Sequence, residues 1–442
     1  MTTSHEGTNL DPWYGHYAER TAGLSTSEVR ALFAVASRPE VVSLAGGMPA
    51  VSALPLDTVA ESMARVMADR GPAALQYGSG QGTPELREHI LEIMALEGVR
   101  AGVDDVVVTT GSQQALDLVA KLFLNPGDVV IAESPSYVGA MGIFRSYQAE
   151  VAHVDMDDEG MIPQALLERI ASLGAAGRSI KLLYLVPNFH NPAGVTLSAE
   201  RRLEILDIAR RNDILIIEDN PYGLLWFDRP APQAMRSVDA EGIVYLGSFS
   251  KTLAPGFRVG WALAPHAIRE KLVLAAEAAI LSPSSLNQMI ISDYLDRADW
   301  RGQVDVFRDL YRERRDAMLD ALDHHLPELS WTVPNGGFYV WLTLPDGLDS
   351  KGMLPRAVKE LVAYTPGTAF YADGSGRGAL RLAFCYPEPA LVKEGVRRLA
   401  TVVRSELELL HTFAPTGPVG TVRDGAGRST PHRGGSTDTN AQ

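Results

Sequence analysis

The middle of the chain alternates short, unbroken apolar runs with longer stretches in which apolar residues recur at helical spacing. Val106–Val108, Val129–Ile131, Leu182–Val186, Ile214–Ile217 and Ile243–Leu246 are such runs, and Val259–Leu263 is a sixth. A strand that is apolar at every position belongs to a sheet covered on both faces. Between the runs, Gln113–Leu124 reads as a helix opening after Gly111. Ser198–Arg211 reads as an amphipathic helix, with Leu203, Leu206 and Ala209 three apart and Ser198 as its N-cap. Strands alternating with helices predict an α/β fold, a mostly parallel sheet sandwiched by helices. Such a sheet binds ligands at the carboxyl ends of its strands.

After about Ala267 the pattern turns helical through Arg315 to Leu326. It then becomes mixed, with a strand at Gly337–Leu344, a helix near Lys351–Leu361 and a strand at Ala379–Phe384. This predicts a second, smaller α+β domain. The expected division is an N-terminal segment 1–50 joining the small domain, a large domain 51–299, a small domain 300–412, and a tail 413–442. The tail is rich in Gly, Pro, Ser and Thr and is expected to be disordered.

Composition narrows the field. The 442 residues are 46% hydrophobic and 21% charged, as in a globular protein of about two domains. The net charge of −14 argues against a nucleic-acid surface. A single cysteine, Cys385, cannot form an intrachain disulfide, which points to a reducing compartment, the cytoplasm. Met1–Ala18 lacks the apolar core of a signal peptide, and no apolar stretch has the length of a membrane span.

The most informative residue is Lys251. Only seven lysines occur, against 33 arginines. This one stands in Ser248-Phe249-Ser250-Lys251, directly after a predicted strand, with Arg258 seven residues on. An amine between hydroxyls and a guanidinium at a strand end is the arrangement that binds pyridoxal phosphate (PLP) as a Schiff base. A surface lysine in a loop is the plain alternative. PLP also needs an acid for its pyridine nitrogen, donors to its 3′-oxygen, a phosphate cradle and a cover for its ring. Asp219, closing a strand, is the candidate acid; a strand-end turn before Asn220-Pro221 would explain it equally. Glu218 should face the opposite side of the sheet. Asn191, in Asn191-Pro192-Ala193-Gly194, and Tyr222 are candidate donors, although Asn-Pro is also ordinary turn chemistry. Gly111-Ser112-Gln113 opens a helix whose free N–H groups would hold an anion, with Ser248, Ser250 and Arg258 adding to it. Tyr137 could stack on the ring or simply pack.

Two other motifs fail. Ser248 and Lys251 match S-x-x-K, but no S-D-N or K-T-G accompanies them. Gly78-Ser79-Gly80-Gln81-Gly82 lacks G-x-G-x-x-G spacing. The histidines show no metal-ligand spacing, so no metal is expected.

In combination, Ala45-Gly46-Gly47-Met48-Pro49, Leu75-Gln76-Tyr77-Gly78, Gly111–Asp117, Asn191–Gly194, Asp219 with Tyr222, Ser248–Lys251, Pro255–Arg258 and Leu380-Arg381-Leu382 resemble a fold-type I PLP aminotransferase. The resemblance is greatest to the α-aminoadipate and kynurenine aminotransferase branch, over roughly Arg20–Arg404. It implies that Lys251 holds the cofactor and shuttles the proton, with Asp219 on the pyridinium and Tyr137 over the ring. It implies that Asn191 and Tyr222 bond the 3′-oxygen. Ser112, Gln113, Ser248, Ser250 and Arg258 would hold the phosphate, joined by Tyr77 of a second subunit in a homodimer. Arg381 would bind the substrate α-carboxylate, helped by Asn191 and the backbone of Gly46 and Gly47, and Arg30 could meet a distal carboxylate. The implied reaction moves the α-amino group of an L-amino acid to a 2-oxo acid such as 2-oxoglutarate. The same scaffold also serves lyases, oxidases and cyclases. A DNA-binding regulator of this class is the remaining alternative, but some forty residues before Gly46 are too few for its DNA-binding module. Neither a nucleic-acid nor a membrane partner is expected.

Overall fold

The computed structural model describes residues 11–24 and 38–413. A short strand β1 (Val42–Ser43) precedes eight that form the central sheet: β2 (Val106–Thr109), β3 (Val129–Ser134), β4 (Glu150–Asp157), β5 (Gly160–Met161), β6 (Ile180–Leu185), β7 (Leu215–Asp219), β8 (Ile243–Ser248) and β9 (Gly260–Leu263). Their order is β2-β9-β8-β7-β6-β3-β4-β5. Neighbours from β8 through β7, β6 and β3 to β4 run parallel, whereas β9 is antiparallel to both β2 and β8. All six apolar runs are therefore strands of a mostly parallel sheet. β2, β8 and β9 are buried at every position.

One face of the sheet packs on the helices Ser112–Phe123, Val138–Ser146 and His266–Ile280, the other on Pro163–Ala175 and Ala199–Arg211. Two local departures from the sequence pattern have simple causes. β4 lies next to the two-residue edge strand β5, so only alternate residues are covered and no apolar run marks it. In Ala199–Arg211, Ser198 caps as expected, its hydroxyl accepting from Arg201 N at 3.4 Å. Leu203, however, is 55% exposed. The buried face is Arg202, Ile205, Leu206, Ile208 and Ala209, because a helical stripe needs alternating steps of three and four. Arg202 is accepted there because its guanidinium donates to Leu197 O at 3.0 Å and Gln233 O at 2.8 Å.

The later strands are β10 (Ser330–Trp331), β11 (Tyr339–Thr343), β12 (Val362–Ala363), β13 (Thr365–Pro366) and β14 (Ala379–Ala383). β10-β11-β14-β13 form an antiparallel sheet, and β1 pairs in parallel with β12. The helices Trp300–His325 and Pro389–Phe413 pack on each other beside it. The expected helix through Arg315–Leu326 is the end of the first of these. That near Lys351–Leu361 is Ser350–Lys359. Of the expected tail, only Phe413 lies within the described residues.

The polypeptide leaves β6, β7 and β8 on the same edge of the sheet, so the residues after these strands converge. β2 adds the turn into Ser112–Phe123, where Gly111 has φ +79°. Gly260 supports that turn: a Cβ on it would lie 2.5 Å from Ser112 N, 2.7 Å from Gly111 C and 2.8 Å from Gly247 O. All three are backbone atoms, so the turn itself would have to move. Gly260→Ala should lower the unfolding free energy by about 1–3 kcal/mol, the usual cost of overpacking. An unchanged denaturation midpoint would show that the turn yields freely.

Candidate active site

The converging strand ends border a cavity of about 820 Å³. It is lined by most of the residues singled out from the sequence. β7 contributes Asp219, and the chain after it Tyr222; the turn after β6 contributes Asn191. β8 and its continuation supply Ser248, Ser250 and Lys251, with Arg258 beyond. Ser112 and Gln113 open their helix onto it, and Tyr137 precedes the next one. From the later part of the chain comes Arg381, on β14, and from the N-terminal side Gly47. Three expected residues are placed differently. Gly46 is buried behind the wall, where its carbonyl accepts from Cys385 Sγ at 3.7 Å. Tyr77 is 77% exposed and does not line the cavity. Arg30 lies outside the described residues.

Asp219 is 5% exposed. Its Oδ2 accepts from Tyr184 Oη at 2.7 Å, whereas its Oδ1 is buried with no hydrogen-bond partner. Burial raises its carboxyl to about 6, opposed by the Tyr184 hydrogen bond. Glu218 points to the opposite face and is satisfied there by Met235 N and Arg236 N, both at 2.8 Å.

Lys251 Nζ donates to Gly47 O at 2.9 Å and lies 5.4 Å from the centre of the Phe338 ring. Burial pushes its ammonium down to about 8; the positive Arg381 and Arg258 act the same way, and Cys385 opposes them. Beside it, Ser248 Oγ donates to Ser250 Oγ at 2.8 Å. Arg258 adopts left-handed backbone (φ +52°) and donates to Thr110 O at 3.3 Å, which brings its guanidinium over the Gly111 turn. A Cβ at Gly111 would lie 2.8 Å from Arg258 Nη2. Hydroxyls, a guanidinium and the free N–H groups of a helix start thus meet at one end of the cavity.

Arg381 closes the other end. Although charged, it is 3% exposed. Its Nη1 donates to Asn191 Oδ1 at 2.8 Å, and its Nη2 to Ala45 O at 2.6 Å and Thr365 Oγ1 at 3.2 Å. The rings of Tyr339 and Phe370 lie against the guanidinium, with centres 4.2 and 4.9 Å from Cζ. Among the described residues its buried Nε has no partner, a donor that suits an acid. Asn191 spends its oxygen on Arg381 and keeps its amide N–H groups free. Tyr222 Oη and Tyr339 Oη stand 3.4 Å apart, and Tyr137 Oη donates to Gln113 Oε1 at 3.2 Å.

Tyr184, Tyr339, Thr365 and Phe370 escaped the sequence reading. Tyr184 carried a usable signal: a hydroxyl inside a fully apolar strand needs a buried partner. The others act from strands and turns whose position relative to the cavity no local pattern reveals.

These residues fit PLP. An unpaired buried carboxylate oxygen suits a ring N–H⁺, the hydroxyl and guanidinium end suits a phosphate, and an amine stands between them. Comparison with known proteins agrees. The family model "Aminotransferase class I and II" matches residues 39–399. The chain belongs to this family and is a PLP-dependent aminotransferase. It is 39% identical over 397 residues to an aromatic-amino-acid aminotransferase of Thermococcus litoralis, covering 89% of this chain and 95% of that one. The Pyrococcus horikoshii kynurenine aminotransferase, solved in complex with PMP, is 37% identical with a TM-score of 0.86, covering 90% of this chain and 100% of that one. The α-aminoadipate aminotransferase of Thermus thermophilus, solved with N-(5'-phosphopyridoxyl)-L-leucine, is 36% identical with a TM-score of 0.83, covering 90% and 99%.

Asp219 yields a test that does not depend on turnover. Its folded-state carboxyl titrates at about 6 against an ordinary 3.8. Between those values the folded cofactor-free protein holds a proton that the unfolded chain has released. Stability from this group is therefore full on the acid side and is lost as pH rises through about 6. Relative to Asp219→Asn, the cofactor-free wild type should lose stability from about pH 4 to about pH 6.5 in chemical denaturation. A pH-independent difference would refute the assignment.

Proposed function

We propose that the cavity holds PLP with Asp219 at the ring nitrogen, Asn191 and Tyr222 at the 3′-oxygen, and Tyr137 over the ring. Ser112, Gln113, Ser248, Ser250 and Arg258 take the phosphate. The exposed Tyr77 serves the phosphate of a second copy in a homodimer. The division into a segment 1–50, a large domain 51–299 and a small domain 300–412 belongs to the same reading, as does a cytoplasmic setting, which the one free, buried cysteine supports. The observation that carries the proposal is that an amine, a buried carboxylate and a buried guanidinium border one cavity.

When bound, PLP supplies an electron sink that labilises bonds at the substrate Cα. Lys251 holds the cofactor and, once released, takes the Cα proton and returns it. Its depressed basicity keeps a useful share as free amine near neutral pH. Arg381 orients the substrate by its α-carboxylate, a planar fork matched to a planar acid. Phe338 borders the amine with ring surface, 5.4 Å from Nζ.

The rest of the wall supports a donor with an apolar side chain. Leu24, Met48, Val138 and Ile143 line it, and a Cβ on Gly142 would meet nothing within 4 Å. Among the described lining residues the cations are Lys251, Arg258 and Arg381, each already engaged by the proposed roles. The amino group then passes to a 2-oxo acid such as 2-oxoglutarate.

Two outcomes are expected. Lys251→Ala should lower kcat by roughly a thousandfold or more, the scale of a lost acid–base group, and retained turnover would remove Lys251 from the role. In a panel of donors, kcat/KM should favour apolar and aromatic L-amino acids over acidic ones by about tenfold or more. The amino group should appear stoichiometrically on the oxo acid; ammonia release without exchange would favour a lyase or oxidase.

A further inference from the structure

Two of the neighbours that hold Arg381 trace back to one residue outside the cavity. Asn191, which accepts from Arg381 Nη1, belongs to the turn that starts at His190. Phe370, whose ring covers the guanidinium, lies two residues before Ala372. Both lead to Glu133, near the carboxyl end of β3 and 1% exposed. The Glu133 carboxylate accepts from Val186 N at 2.7 Å, and the same oxygen lies 3.1 Å from His190 Nε2, a close contact without hydrogen-bond alignment. His190 Nδ1 accepts from Ala193 N at 3.2 Å, so the ring proton sits on Nε2, toward Glu133. The backbone oxygen of Glu133 lies 2.8 Å from His153 Nδ1, and His153 Nε2 accepts from Ala372 N at 2.9 Å. With Nε2 accepting, Nδ1 is the donor to Glu133. Ser136 N, just past β3, donates to Phe370 O at 2.9 Å and ties the same segment down.

We propose that Glu133 is the positioning hub of the carboxylate site. Through its bond to Val186 N and its contact with the His190 ring it positions the Asn191 turn, through His153 it fixes the Phe370 segment, and the two together set the guanidinium of Arg381. The proposal rests on the reading of Arg381 as the carboxylate anchor. None of the three hub residues touches the reacting atoms, so their effect is on substrate affinity.

The His153 arm works only with a neutral ring, because an imidazolium has no lone pair for Ala372 N–H. Burial lowers the pKa of His153 from 6.5, while the hydrogen bond to Glu133 O, Asp373 and Asp155 pull it up and Arg169 opposes them. The ring of Tyr371 stands 5.7 Å away. The clamp is thus held at neutral pH and lost as pH falls through a value below 6.5.

The test uses holoenzyme, with KM and kcat for the apolar donor and the oxo acid, and the affinity of the unreactive 3-phenylpropanoate, all from about pH 5 to about pH 8. His153→Ala should raise KM and the probe Kd about fivefold, the value of one lost hydrogen bond, with kcat little changed. His153→Gln, which offers a donor and an acceptor but does not titrate, should restore both near pH 7.5. It should also flatten the acid-side rise seen in wild type. An acid limb identical in His153→Gln and wild type overturns the proposal, as does unchanged affinity in a folded His153→Ala. Arg381→Lys separates the two readings. Unaltered KM values in that variant sink the anchor itself. Raised values there, beside His153 variants that match wild type, sink only the hub.

Discussion

A carboxylate buried at the end of an apolar strand is the constraint around which this protein is arranged. Asp219 has surrendered most of its hydration, at a cost on the order of several kcal/mol, and the chain compensates only one of its two oxygens. Tyr184 reaches it from β6; no described residue reaches Oδ1. That deficit suits a cation carried in by a bound group, the role proposed for the ring nitrogen of PLP. The parallel sheet is what makes the position possible. Only strands leaving in the same direction can bring Asn191, Asp219 and Lys251 to one edge, and only helices on both faces can keep that edge dry.

The neighbouring residue shows that the deficit is specific. Glu218 and Asp219 are consecutive, equally buried, and directed to opposite faces. Glu218 receives two backbone N–H groups and lies near Arg202, which hydrogen-bonds carbonyls of the same wall. On that side the polar network includes Asn220 donating to Glu97 at 2.9 Å. The sheet end thus has a face where Glu218 is internally satisfied and serves structure, and a face where a partner of Asp219 is left out. Stability is kept on the first and function is placed on the second.

The sequence disclosed the strands because they are buried on both faces, and it disclosed most of the candidate cofactor residues because they sit near strand ends or helix starts. β4 was hidden because one-sided cover leaves no apolar run. Leu203 misled because a three-residue recurrence is not quite a helical stripe. Arg381 is the instructive case: taken by itself it reads as a solvated residue of a strand, and only the resemblance marked it. The structure explains why. Its partners Ala45, Asn191 and Thr365 come from three separate parts of the chain, so no window of sequence contains the reason for its burial. Glu133, His153 and His190 were hidden for the same cause.

The charges on the cavity wall then decide what kind of molecule enters. Among the described lining residues one carboxylate, Asp219, faces three cations, Lys251, Arg258 and Arg381. They do not pair with it: Asp219 is bonded to Tyr184, Lys251 and Arg258 to backbone carbonyls, and Arg381 to Asn191, Ala45 and Thr365. An unneutralised excess of positive charge in a partly dry cavity attracts anions, and its geometry sorts them. Arg258 stands by the serine hydroxyls and a helix start, which suits a phosphate. Arg381 is held by Asn191, Ala45 and Thr365 against two aromatic rings, which suits a carboxylate. Lys251 is the cation most easily discharged, because burial and both arginines weaken its hold on a proton. The same excess of positive charge that suits a phosphate and an acid therefore also favours the free amine that the chemistry requires.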